Sequence, residues 1–158
     1  MENITPSPTQ APKEIEYTLP YPGILPNNPL FIAKTIRDRL QEVFTLNPLR
    51  KAEFYLLQAD KKLSSSLILF GLGKEDMAEK MLSKSQDYLE KAIDGEETAK
   101  NSSESLLELS GKIKQSSKKQ SELINGLYEK SKAEIKLKLK EDLEQSKILQ
   151  KRADQFVP

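Results

Sequence analysis

The sequence of 158 residues contains no cysteine, no histidine and no tryptophan. Without cysteine there is no disulfide and no thiolate chemistry, a state that also suits an oxidising compartment. Without histidine the chain lacks the usual general base near neutral pH and the commonest metal ligand. Zinc and haem centres and Ser–His hydrolytic pairs go with it. Glycines number only six, and none forms a phosphate-cradling loop. No apolar run approaches the roughly 20 residues that cross a bilayer. The opening MENITPSPTQAPKE has neither a basic start nor an apolar core, so it does not read as a signal peptide, and the expectation is either a cytoplasmic protein or one with a signal or anchor upstream. A net charge of +1 provides no overall field toward nucleic acid or an anionic membrane.

Proline is absent from residues 49–157 and crowded before them. Residues 1–18 carry Pro6, Pro8 and Pro12 among Ser, Thr, Gln and charged residues, the composition of an extended linker. In LPYPGILPNNPL (19–30) apolar residues stand between the prolines instead. Each proline fixes its own φ and biases the preceding residue toward extended geometry. Leu19, Tyr21, Ile24 and Leu25 are therefore expected to lie as a strap on a helical surface.

Asn28-Pro29-Leu30 and Asn47-Pro48-Leu49 each place Asn at an N-cap and Pro at the first helical position. The first helix is predicted from Pro29 to about Phe44, with the stripe Ala33, Ile36, Leu40, Val43 and Phe44. The second is predicted from Pro48 to about Phe70, with the stripe Ala52, Tyr55, Leu56, Ala59, Leu63, Leu67 and Phe70. The short Thr45-Leu46 link implies a tight hairpin or a sharp corner. Gly71 and Gly73 stop the second helix. A third begins near Lys74-Glu75-Asp76 and carries Ala78, Met81, Leu82, Leu89, Ala92 and Ile93. A break or kink is expected within 94–103, where Gly95 is a candidate stop and Asp94 or Asn101 a candidate cap.

Residues from there to about Phe156 are helical by composition, with Leu106, Leu109, Ile113, Ile124, Leu127, Tyr128, Ile135, Leu139, Leu143 and Leu149 as apolar positions. QSSKKQS (115–121) and Asn125-Gly126 are soft spots for a turn. The alternating run EIKLKLK (134–140) has a strand pattern, but nothing is available to pair with it, and Ile135, Leu139 and Leu143 keep helical spacing. The fold class is thus all-α: a helical hairpin or bundle of four or five helices with an extended proline-rich N-terminal strap. Three regions are expected: a linker (1–18), a strap plus three helices (19–93), and long amphipathic helices packing back on that core or projecting from it (94–158). Seven of the ten aromatics precede residue 75, which places the best core in the N-terminal half.

Charge is uneven along the chain. Residues 73–110 hold ten acids against five lysines, and residues 111–140 hold nine lysines against three glutamates. Antiparallel packing of the two arms would match these charges, setting register and partner choice more than stability. The basic arm contains only Tyr128 as an aromatic, so it lacks the stacking platform that single-stranded nucleic acid requires. An alternative is membrane-surface contact through 130–143. There Ile135, Leu137, Leu139 and Leu143 would insert, while Lys132, Lys136, Lys138 and Lys140 meet anionic head groups.

Acids such as Glu53, Asp60 and Glu90 read as a solvated face or interhelical pairs rather than a catalytic dyad. Arg37, Asp38 and Arg39 are expected to pair with Glu53 or Asp60. Asn3-Ile4-Thr5 and Asn101-Ser102-Ser103 match the glycosylation acceptor pattern, a short motif frequent by chance. No catalytic residue, cofactor, metal or small-molecule ligand is expected.

Residues 19–63 carry a set of motifs in order: Tyr21-Pro22-Gly23-Ile24-Leu25-Pro26, Asn28-Pro29-Leu30-Phe31, Ile36-Arg37-Asp38-Arg39, Asn47-Pro48-Leu49-Arg50-Lys51-Ala52-Glu53 and Ala59-Asp60-Lys61-Lys62-Leu63. As a set they resemble a family of bacterial domains of unknown function, in the form seen in candidate-phyla-radiation bacteria. Phe31, Arg50 and Lys62 stand where Tyr, Lys and Arg are usual. The resemblance implies an exported all-helical domain of the cell envelope. It further implies a non-catalytic structural or interaction role, with another envelope protein or a second copy as partner.

Overall fold

A computed structural model describes residues 15–99 and 104–155. Five helices follow in order: α1 (Phe31–Phe44), α2 (Pro48–Gly71), α3 (Glu75–Thr98), α4 (Glu104–Lys130) and α5 (Ala133–Gln155). No strand occurs among the described residues, and 134–140 lies within α5. The chain is an all-α bundle. The linker before Ile15, a cap by Asn101, Phe156 and both glycosylation patterns lie outside the described residues.

Helix boundaries follow local chemistry. Asn47 caps α2, its side chain accepting from the Arg50 N–H at 3.0 Å, with Pro48 at the first turn. The other Asn-Pro pair behaves differently. Asn28 Oδ1 accepts from the Leu30 N–H at 2.9 Å and closes a turn over Pro29, so α1 starts two residues later than its prolines predict. Gly73 ends α2 at φ 69°, while the Lys74 N–H reaches back to the Leu69 carbonyl. That six-to-one bond needs a left-handed residue, which glycine supplies without strain.

Gly95 does not stop a helix. It lies within α3, where a Cβ would stand 2.9 Å from the Ala52 Cβ, so its role is close approach to α2. The break falls after Thr98, within the expected interval. Neither QSSKKQS nor Asn125-Gly126 is a turn: both are inside α4, and the chain reverses at Ser131-Lys132 instead.

Helices α2 and α3 form one antiparallel hairpin, and α4 and α5 form another. Stacked together, they bring α2 beside α4 and α3 beside α5. The core has two main apolar clusters. One joins Leu56, Leu89, Ile93, Ile113 and Leu149, and the other joins Leu63, Leu82, Ile124, Leu139 and Leu143. Helices α4 and α5 supply four of the ten buried residues of the first and four of the six of the second. The core is therefore not centred in the N-terminal half, and Tyr21 and Phe44 of the early aromatics are largely exposed.

Between the clusters runs a buried polar layer. Ser116 Oγ donates to Asp60 Oδ1 at 2.6 Å, and Gln120 Nε2 donates to Ser85 Oγ at 2.8 Å. Ser85 Oγ donates to the Ala59 carbonyl, and Gln86 Nε2 donates to the Asp142 carbonyl. These bonds are satisfied only in one alignment of the hairpins, so they fix register. This layer explains why 115–121 resembles a turn. Ser116, Ser117 and Gln120 are buried, and Ser116 and Gln120 bond across the interior, whereas in a turn they would meet water.

The acidic and basic arms do not pair as two whole helices. The Ser131-Lys132 reversal divides the basic segment between α4 and α5, and α3 meets cations of both: Lys114 of α4 acts on Glu96, and α5 supplies the ion pairs. Arg152 reaches Asp94 at 2.8 Å and Glu97 at 2.9 Å, and Lys138 lies 3.7 Å from Glu79.

Candidate functional site

Helix α1 lies outside the four-helix core and is attached the wrong way round for an amphipathic helix. A helix normally turns its apolar stripe inward. Here Phe31, Lys34, Asp38 and Glu42 face the bundle, at helical spacing. Glu42 accepts from the Tyr55 hydroxyl at 3.1 Å and stands 3.6 Å from Lys91. Phe31 lies between two ammonium groups, with Lys34 at 5.7 Å and Lys62 at 5.4 Å from its ring centroid. Lys34 also donates to the Pro22 carbonyl at 2.6 Å, and burial lowers its pKa. Asp38 pairs with its neighbour Arg37 at 2.7 Å rather than with Glu53 or Asp60 on α2, an outcome that like charges on Asp38 and those acids would in any case oppose.

The predicted apolar stripe consequently faces solvent. Ile36, Leu40, Val43 and Phe44 are 57%, 53%, 63% and 76% exposed. Leu30, Ile32 and Leu46 extend the patch at both ends. Scattered exposed leucines are ordinary, but a contiguous apolar face along a whole helix is not. Ala33, Ile36, Leu40 and Val43 repeat at the 3-4-3 spacing of a coiled-coil seam. At about 100° per residue, Arg37 and Arg39 fall on the two edges of that seam. Both edges thus carry an arginine, Arg37 paired with Asp38 and Arg39 without an ion pair among the described residues, while the acids of α1 are turned inward.

The strap reaches the bundle mainly through polar groups. Prolines leave carbonyls unclaimed by regular structure, and two of these act as acceptors: Pro22 for Lys34, and Pro20 for Ser64 Oγ at 2.8 Å. The Tyr17 hydroxyl donates to Asp60 Oδ2 at 2.5 Å, and the Ile15 N–H donates to Glu122 at 3.2 Å. Leu19 packs on the lower apolar cluster, but Tyr21 points outward, so only part of the expected apolar contact forms.

Lys132, Lys138 and Lys140 are exposed on α5 and the turn before it, and Lys136 stands over the Tyr128 ring at 5.4 Å. Of the apolar residues placed beside them, Ile135, Leu139 and Leu143 are buried in the core, and Leu137 alone is exposed. Insertion of this segment into a bilayer would require opening the bundle. No described helix is long and apolar enough to cross a membrane, and the described residues include no group of three or more His, Cys, Asp or Glu able to hold a metal ion.

No curated protein and no solved structure matches the chain. Residues 23–155 match the family described as domain of unknown function (DUF5667). The matched region opens within the strap and includes all five helices, so the basic-edged α1 face and the polar layer both lie inside it. The chain belongs to the DUF5667 family of domains of unknown function.

Proposed function

We propose that this chain is a non-catalytic helical interaction domain of the bacterial cell envelope, and that α1 is its docking surface. The observation that carries the reading is the exposed seam Ala33, Ile36, Leu40 and Val43 with arginine on both edges. Charge complementarity selects the occupant: an amphipathic helix of another protein, with an apolar stripe edged by Glu or Asp. A second copy of this chain would bring Arg37 and Arg39 against their own counterparts, so self-pairing through this face is opposed. The envelope assignment draws on the likeness of residues 19–63 to exported domains.

The test uses two designed heptad peptides with leucine seams, one edged with Glu and one with Lys. The full chain should bind the Glu-edged peptide saturably by fluorescence anisotropy, and at least tenfold more weakly after Leu40→Glu. It should ignore the Lys-edged peptide and sediment as a monomer alone. Equal binding of both peptides, dimerisation lost in Leu40→Glu, or binding only to anionic phosphatidylglycerol vesicles would overturn the reading.

A further inference from the structure

A cavity of about 200 Å³ lies beneath α1, between it and helices α2 and α3. Arg39, Lys62, Lys84 and Lys91 line it, opposed by Asp38 and Asp87. Glu42 engages Lys91, and Arg37 engages Asp38 through Oδ1 alone, leaving Oδ2 without a hydrogen bond. Arg39, Lys62 and Lys84 then face Asp38 and Asp87, so the balance is cationic by one charge.

Lys62 is the unusual member. Only 7% exposed, it forms no hydrogen bond or salt bridge among the described residues; its ammonium lies over the Phe31 ring, and the Asp38 carboxylate across the cavity attracts it without bonding to it. Burial, then repulsion from Lys34, Lys84 and Lys61, outweighs that attraction and brings its pKa down to about 8. It is still charged at neutral pH, and a buried charge without a hydrogen-bonded counter-ion is costly. The nearby Lys34 does not share the problem, because the Pro22 carbonyl accepts from it.

We propose that this cavity binds a phosphate-sized oxyanion, with Lys62 as the buried anchor and Arg39 and Lys84 closing over it from α1 and α3. The volume suits a free phosphate or the phosphomonoester end of a larger molecule. The site shares Arg39 with one edge of the outward face of α1, but its anchor Lys62 and its partner Lys84 belong to α2 and α3 beneath that helix.

The full chain is titrated with inorganic phosphate, with sodium chloride at matched ionic strength as the control, while the Lys62 side chain is followed by NMR. A saturable shift of Lys62 in phosphate alone is expected, with a matching rise in melting temperature. Lys62→Met should abolish that rise. Arg39→Gln, at the exposed rim and tolerated by the fold, should weaken binding about tenfold to hundredfold, as loss of one charge-assisted hydrogen bond does. Ile36→Ser should leave binding unchanged. Glycerol phosphate binding as well as phosphate identifies a phosphomonoester ligand, and phosphate binding alone identifies the free ion. No saturable Lys62 shift, or equal stabilisation of wild type and Lys62→Met, would overturn the proposal.

Discussion

The Tyr17 hydroxyl donates to the buried carboxylate of Asp60, tying the N-terminal strap to the middle of α2. The same carboxylate accepts from Ser116 of α4, so one acid joins three segments. Burial raises the Asp60 pKa, the two donors oppose that rise, and burial holds the tyrosine hydroxyl well above its usual range. Tyr17→Phe should therefore leave Asp60 Oδ2 short of a donor and cost about 1–3 kcal/mol. Urea denaturation measures the loss. In a double-mutant cycle with Asp60→Asn, the two effects should be non-additive by at least about 0.5 kcal/mol.

Gly95 and Ala52 form the closest approach of α3 to α2. Gly95→Ala would raise helix propensity by about 1 kcal/mol in isolation. In the bundle its methyl group meets the Ala52 Cβ at 2.9 Å, and overpacking of that kind costs about 1–3 kcal/mol. The net change in chemical denaturation should be destabilising. Adding Ala52→Gly should recover part of it, because the pair then keeps one methyl between the helices.

Asp142 gives the bundle a pH dependence. Burial, with Glu79 of α3 and the adjacent Glu141 adding repulsion and Lys138 opposing them, raises its pKa to about 7. An unfolded aspartate titrates near 3.9. Between those values the folded chain holds a proton that the unfolded chain has released, so stability falls as pH rises from about 4 to about 7 and then levels. Asp142→Asn should stabilise by about 1–2 kcal/mol near pH 8, a figure reduced for solvent screening, and by nothing near pH 4. Thermal melts across that range provide the check.

Substitutions on the two kinds of apolar position should separate cleanly. Ile36→Ser and Val43→Ser should change stability by no more than about 0.5 kcal/mol, because the native chain leaves both side chains in water. Leu82→Ala or Leu139→Ala should cost about 2–5 kcal/mol, since both are fully buried. A large loss on the α1 side, measured by guanidinium denaturation, would mean that its stripe is covered in the isolated protein.

Periodicity made most of the fold legible. The stripe Ala78, Met81, Leu82, Leu89, Ala92 and Ile93 is buried as its spacing predicts, and so are Leu106, Leu109 and Ile113. The candidate site was half legible. Spacing located the α1 stripe but contains no information on which way the helix is turned. That orientation comes from long-range contacts made by Phe31, Lys34 and Glu42 with the strap, α2 and α3, and such contacts leave no local period. The polar layer was missed for a related reason. Ser116 and Gln120 have turn-like composition, and only their partners Asp60 on α2 and Ser85 on α3 reveal them as interior residues. Lys62 lies beside Lys61 in an unremarkable pair, and its place under Phe31 and Asp38 of α1 leaves no local signal.

Attaching α1 by its polar side has a consequence for how this domain diversifies. Residues that recognise a partner usually double as residues that hold the fold, and change in one property disturbs the other. Here the outward stripe bears no share of the packing that maintains the bundle. Its side chains are free to vary in size and polarity at almost no cost to folding, so one scaffold is able to acquire new binding preferences through a few substitutions on a single exposed helix.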